Sequence, residues 1–319
     1  MPTPAAWRWQ LHGLVIEGRS ESHLIGDRWR ATFGSLPAAS AGAELAFDLS
    51  LVEQAPPAPT RPPDFQQGEL LAYYVDGPDV IAHFPRYGQL RLNLAEGSTN
   101  GAITAAALAA YGVFEDLLAI GLSPHLRRRG MFLLHAFAAC PPRAGAVLLV
   151  GDIGAGKTTT GLALLHAGWR LLSNDSPILS ADKSGGLQVL SYPGLLSAYP
   201  DTLARFPELA ALNSQAARQQ KSLFAAEAIY PQVWADSAAP GALVFPKIEQ
   251  RAEHKLERLP APEALQMILP HSIEQWDRAM IPAHLALLTQ LVQAVPAYQL
   301  RLAPDIDSLP ALLEEIIQS

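Results

Sequence analysis

Three observations predict a mixed α/β chain of the α+β kind over these 319 residues. Residues 146–160 run an apolar strand through glycines into a helix, residues 69–94 carry three short strands separated by turns, and from residue 101 apolar side chains recur at helical spacing. The expected division is a β-rich N-terminal region with a helical crossover over 1–120, and a larger domain over 121–319.

Taken in order, residues 7–17 alternate as one strand, and the proline-dense stretch 55–63 is a surface connector that suits neither helix nor central strand. The runs 69–75, 79–84 and 89–94, broken at Asp76-Gly77-Pro78 and Arg86-Tyr87-Gly88, read as a β-meander whose His83 is a structural core residue. Residues 101–120 form the crossover helix. Ser123-Pro124 then caps a further helix, whose Arg127, Arg128 and Arg129 are read as a solvated, dipole-complementing end. Residues 131–138 read as one buried strand and 141–145 as a hairpin turn into the strand 146–150.

Beyond the glycines, residues 159–167 form a helix closed by Gly168, and a strand follows to Asp175. That strand is expected beside 146–150, with Asp175 aimed at a ligand in the loop. Residues 177–180 and 187–191 make a hairpin, 192–206 a loop and short helix, and 215–230 a loop or helix. Residues 242–245 are a buried strand, and helices alternate with a strand at 297–302 towards the end.

The sequence Gly151-Asp152-Ile153-Gly154-Ala155-Gly156-Lys157-Thr158-Thr159, between a strand and a helix, is the full context of a phosphate-binding loop. Its glycines let successive N–H groups turn towards a phosphate, where the helix N-terminus adds partial positive charge. Lys157 reaches the β- and γ-phosphates of ATP, and the Thr158 hydroxyl holds Mg²⁺. Asp175, one helix downstream, binds Mg²⁺, accepts the proton of an attacking hydroxyl, or does both. Among the remaining cations, Lys221 ranks ahead of Lys247 for stabilising a phosphoryl group in flight, because its glutamine-rich segment suits a closing loop.

Composition narrows the partners. A net charge of −7 argues against nucleic acid, the single Cys140 leaves no disulfide framework, and no apolar run approaches the roughly 20 residues that span a bilayer. Without a secretory leader pattern, a cytoplasmic location is expected.

The loop, the short helix ending at Ala167-Gly168-Trp169-Arg170, and Leu171-Leu172-Ser173-Asn174-Asp175 together resemble the catalytic domain of the HPr kinase/phosphorylase family. Leu133-Leu134-His135 sits where that family and its kinase relatives carry a histidine, and Tyr192-Pro193-Gly194 with Tyr199-Pro200-Asp201 resembles a pattern of those relatives. The resemblance spans roughly residues 117–245. It implies a P-loop kinase core with a mixed β-sheet like the nucleotide-binding core of phosphoenolpyruvate carboxykinase, and transfer of the γ-phosphoryl of ATP to a serine hydroxyl. His135 then steers the acidic group or the phosphate. The family pairs two aspartates where this chain has Asn174-Asp175, so Asn174 is assigned as a metal ligand or orienting amide that takes no proton. The family's second acidic loop has no counterpart here, since Glu208 and Glu227 lie in no matching motif.

The leading expectation is therefore an ATP-dependent kinase acting on serine of a small protein or peptide. A small-molecule hydroxyl kinase and a non-catalytic ATP-sensing module stand beside it. The expected partners are ATP and the acceptor, with no nucleic acid and no membrane, and a homo-oligomer remains an option.

Overall fold

Alternating strands build an eight-stranded sheet in the first part of the computed structural model, which describes residues 5–215, 221–249 and 251–318. The chain is mixed α/β with several sheets and divides into two units. The first runs to Arg129 and takes in Glu274–Met280; the second begins at Gly130 and holds the rest. Among the described residues no helix is long and apolar enough to cross a membrane.

The first unit comprises β1 (Ala5–Leu11), β2 (Leu14–Ser20), α1 (His23–Phe33), β3 (Leu45–Val52), β4 (Phe65–Gln67), β5 (Leu71–Asp76), β6 (Asp79–Phe84), β7 (Gly88–Asn93), β8 (Ser98–Thr104), α2 (Ala105–Ala109) and α3 (Val113–Arg127). Its strand order is β1-β2-β3-β8-β7-β6-β5-β4, in which β5, β6 and β7 form the expected antiparallel meander. Trp9 stacks on Trp29 with ring centroids 5.6 Å apart, and Phe33 and Phe47 close round them.

Four expectations change in this unit. The run 7–17 is a hairpin rather than one strand, because His12 (φ 48°) and Gly13 (φ 89°) make a left-handed two-residue turn. The helical crossover starts later than expected, after β8. Gly101 lies inside that strand because a Cβ there would meet Leu49 at 2.4 Å and Leu90 at 2.7 Å. Ser123 and Pro124 do not cap a second helix but lie within a continuous α3. Of the arginines at its end, Arg128 and Arg129 are exposed and donate to the last-turn carbonyls of Pro124 and His125, but Arg127 is buried and donates through Nε to Asp277 at 3.0 Å, onto whose carboxylate Arg128 also forks at 2.9 and 3.1 Å.

The second unit comprises β9 (Phe132–Leu133), β10 (Ala136–Cys140), β11 (Ala146–Val150), α4 (Lys157–His166), β12 (Arg170–Ser173), β13 (Ile178–Ala181), β14 (Leu187–Leu190), β15 (Leu196–Ala198), α5 (Pro200–Leu203), α6 (Ala210–Gln215) and β16 (Ser222–Phe224). It continues with α7 (Ala226–Ile229), β17 (Ser237–Ala238), β18 (Pro240–Ile248), β19 (Lys255–Leu259), α8 (Ala261–Ile268), α9 (Ile281–Ala294), β20 (Ala297–Leu302) and α10 (Leu309–Gln318). Residues 216–220, part of the segment read as a loop or helix, lie outside the described residues.

Its main sheet has the order β12-β10-β11-β18-β20-β19, with β11, β18 and β20 parallel. The strand leading to Asp175 is thus not next to β11. The hairpin partner β10 takes one side of β11 and β18 takes the other, so β12 pairs with β10. A second sheet, β17-β14-β13-β9, and the pair β15-β16 complete the unit. One apolar cluster joins Phe137, Leu149, Leu162, Trp169, Val244, Leu302 and Leu313, packing α4 and α10 against the main sheet.

Candidate active site

The glycine loop joins the carboxyl end of β11 to the N-terminus of α4. Gly154 (φ +85°) and Gly156 (φ +104°) take left-handed conformations that bend the loop. A Cβ at Gly154 meets nothing within 4 Å, whereas at Gly156 it would strike Leu302 at 2.4 Å and press on Ile248 at 3.4 Å. The first intrahelical bond of α4 runs from Thr160 N–H to Gly156 O, so the N–H groups of Gly156, Lys157, Thr158 and Thr159 have no partner within the helix. A bent loop closing on a helix N-terminus fits a polyphosphate.

Lys157 is only 9% exposed and is held by three acceptors. Its Nζ donates to Gly151 O, to Asp152 O at 3.1 Å, and to His135 Nε2 at 3.4 Å. His135 owes its position to a break in the expected single strand 131–138, which is in fact β9 and β10 separated by Leu134 and His135. Three consecutive amides bind two segments there: Leu134 N–H to Pro177 O (3.0 Å) and Ala136 N–H to Asp175 O (3.1 Å) on the connection after β12, and His135 N–H to His271 O (2.7 Å). The imidazole points across the site, with Nδ1 3.2 Å from Asp175 Oδ1.

Burial pushes the His135 imidazole below its ordinary pKa; the Asp175 carboxylate opposes this, while the cations of Lys157 and Lys221 reinforce it. Burial likewise lowers Lys157, against the opposing carboxylates of Asp175 and Asp152. Lys221 thus acts electrostatically on both groups, and its Nζ lies 5.2 Å from the Tyr199 ring centroid.

His271 belongs to the same cluster and was not singled out from the sequence. Its ring lies alongside that of His135, centroids 6.1 Å apart at 23°, and its Nε2 stands 3.9 Å from Asp152 Oδ1. Burial lowers its pKa, with Asp152 opposing. A lone histidine ending the 3₁₀ turn Leu269–His271, over a hundred residues past the glycines, carries no local signal, and its backbone bond to His135, its ring contact there and its approach to Asp152 bring it in.

The remaining residues separate by what they touch. Asn174 turns away from Asp175, donating Nδ2–H to Leu195 O at 3.2 Å. Thr159 Oγ1 is 3.0 Å from Thr202 Oγ1, and Thr158 is half-buried beside it in the first turn of α4. Asp152 is 95% exposed, as is most of Ile153, while Ala155 donates N–H to Asp152 O at 3.2 Å within the loop. Lys247 is not among the groups acting on His135 or Lys157 and pairs with Glu249 at 3.5 Å. Glu208 binds His166 and Tyr230, and Glu227 accepts from Trp234, so both have structural partners.

Among the described residues no group of three or more His, Cys, Asp or Glu gathers as a metal cage. Of the oxygens assigned to Mg²⁺, the Thr158 hydroxyl lies in the first turn of α4, the Asp175 carboxylate faces His135, and the Asn174 amide belongs to a side chain bound to Leu195 O. That is the sparse, hard donor set that suits Mg²⁺ completing its shell with phosphate oxygens and water.

No family model matches the chain, and no curated protein matches it. Among solved structures, the HPr(Ser) kinase/phosphatase from Coxiella burnetii shows a weak likeness, with 13% identity and a TM-score of 0.33 over 58% of this chain and 88% of that one.

Proposed function

We propose that this chain is an ATP-dependent phosphotransferase that moves the γ-phosphoryl group onto a hydroxyl, and that the acceptor is a serine carried by a small protein or peptide. The observation that carries the reading is the continuous chain Asp175–His135–Lys157 beside the glycine loop. Phosphoryl transfer needs a phosphate cradle, cations for the charge on the transferring group, and a proton acceptor within reach of the attacking hydroxyl. Here the glycine loop and α4 offer the cradle, Lys157 and Lys221 the cations, and the Asp175–His135 pair the proton acceptor. Thr158, Asp175 and Asn174 are the oxygens available to Mg²⁺, which would neutralise phosphate charge when bound.

Exposure of the site favours a bulky acceptor: Asp175 is 55% and Asp152 95% open to solvent, so a protein-borne serine has room to approach. The test is transfer of label from γ-labelled ATP to peptide and metabolite pools. Transfer that disappears in Lys157→Ala and in Asp175→Ala supports the proposal, and full transfer in either variant sinks it.

A second reading, an ATP-sensing module without turnover, draws on Asn174, whose amide donates to Leu195 O and leaves Asp175 as the carboxylate within 3.2 Å of His135. Tight Mg·ATP binding with ADP release no faster than background would select it.

A further inference from the structure

The phosphate cradle leaves open where the nucleoside end of the ligand lies. A nucleoside triphosphate carries its reacting phosphate and its base at opposite ends of one unbranched chain, so the base lies away from the residues that meet the reacting end. His135 and Asp175 belong to the β10 and β12 side of β11. Away from them lies the opposite side of β11, where β18 and β20 run parallel to it. Crevices outside the carboxyl ends of parallel strands are where open α/β sheets hold ligands.

β18 ends there at Ile248, a large apolar side chain left 64% exposed. It borders the cradle, since its Cγ1 lies 3.4 Å from where a Cβ on Gly156 would stand. Several polar groups of this edge, among the described residues, already have partners. Glu249 N–H donates to Leu302 O at 3.2 Å and Ala303 N–H to His254 Nδ1 at 3.0 Å, while Pro304 has no N–H. Lys247 and Arg301 both pair with Glu249, at 3.5 and 2.6 Å. The exposed side chain this edge offers a base is the apolar Ile248, and the side-chain cations beside it are drawn to Glu249.

We propose that Ile248 is the surface on which the nucleoside base lies, and that the site accepts adenine and guanine nucleotides alike. The assignment rests on the phosphate-cradle reading above. It is tested by calorimetric titration of Mg·ATP, Mg·GTP and inorganic tripolyphosphate into the intact protein, Ile248→Ala and Ile248→Leu. ATP and GTP should bind the intact protein within about tenfold of each other. Ile248→Ala should weaken both nucleotides by roughly tenfold yet change tripolyphosphate, which has no base, by less than about twofold. Ile248→Leu should restore nucleotide binding.

Unchanged nucleotide affinity in Ile248→Ala, an equal loss for tripolyphosphate, or a preference for one base beyond tenfold in the intact protein would each overturn the assignment. Failure of the intact protein to bind either ATP or tripolyphosphate would instead strike the cradle itself, and the base site with it.

Discussion

The Asp175 carboxylate and the His135 imidazole face each other at 3.2 Å, and their relation settles a tautomer. On its other side, His135 presents Nε2 to the Lys157 ammonium at 3.4 Å. An ammonium only donates, so Nε2 must be the acceptor and Nδ1 carries the proton towards Asp175. A carboxylate, an oriented imidazole and a lone pair directed at the loop are thereby in register.

Asp175 and His135 should fail as one unit. Asp175→Asn and His135→Gln are each expected to lower phosphoryl transfer by about 100-fold or more, and the double variant to be no worse than the poorer single one. Single-turnover rates with γ-labelled ATP decide this. Losses that multiply in the double variant would show the two groups acting separately.

Adding the second carboxylate of the related pattern should not help. In Asn174→Asp the amide that donates to Leu195 O is replaced by a group that repels that carbonyl. Stability should fall by about 1–2 kcal/mol with no gain in transfer, measured by urea denaturation beside the labelling assay.

The two left-handed glycines should respond differently to alanine. Both substitutions impose backbone strain of about 1–2 kcal/mol. Only at Gly156 does the new Cβ also collide with Leu302, at 2.4 Å, whereas Gly154 has open space around it. Gly156→Ala should therefore lose ATP affinity by a larger factor than Gly154→Ala, which paired titrations will show.

In the first unit, Asp277 is buried and accepts from both Arg127 and Arg128. Asp277→Ala leaves the Arg127 guanidinium buried without its carboxylate and should cost about 3–5 kcal/mol. Arg128→Ala keeps the buried pair and should cost about 1 kcal/mol. Equal losses in thermal denaturation would contradict this ranking.

Acid should destabilise the first unit through His125. Complete burial, helped by the neighbouring arginines, pushes its pKa down to about 4 from the ordinary 6.5. The unfolded chain then takes up a proton below pH 6.5 that the folded chain does not take until about pH 4. Stability is full above 6.5 and falls by about 3 kcal/mol as pH drops across that window. His83, also lowered by burial, acts in the same direction. His125→Gln should flatten the pH dependence of denaturation, and an unchanged slope would exclude His125 as its source.

The parts of this molecule written in local sequence were legible. The glycine loop between strand and helix, the meander of β5 to β7 and the left-handed Gly168 each follow from residues that are near neighbours. Features set by distant partners were not. Gly101 reads as the start of the crossover helix until Leu49 and Leu90 are seen crowding it inside β8. Arg127 reads as a solvated cation until Asp277 arrives from far along the chain. In the site, the glycine loop and His135 could be marked from the sequence, but the 3.2 Å approach to Asp175, the return of Lys221 and the presence of His271 depend on how strands and loops meet.

The amides of Leu134, His135 and Ala136 also tie completion of the site to late synthesis. The glycine loop emerges early, but Gly156 and α4 pack against Leu302 and Leu313, and the His135 N–H finds its acceptor on His271, all far along the chain. Neither the phosphate cradle nor the proton acceptor is held in place until those residues have emerged. Nucleotide affinity and transfer activity should therefore appear together, late in the growing chain.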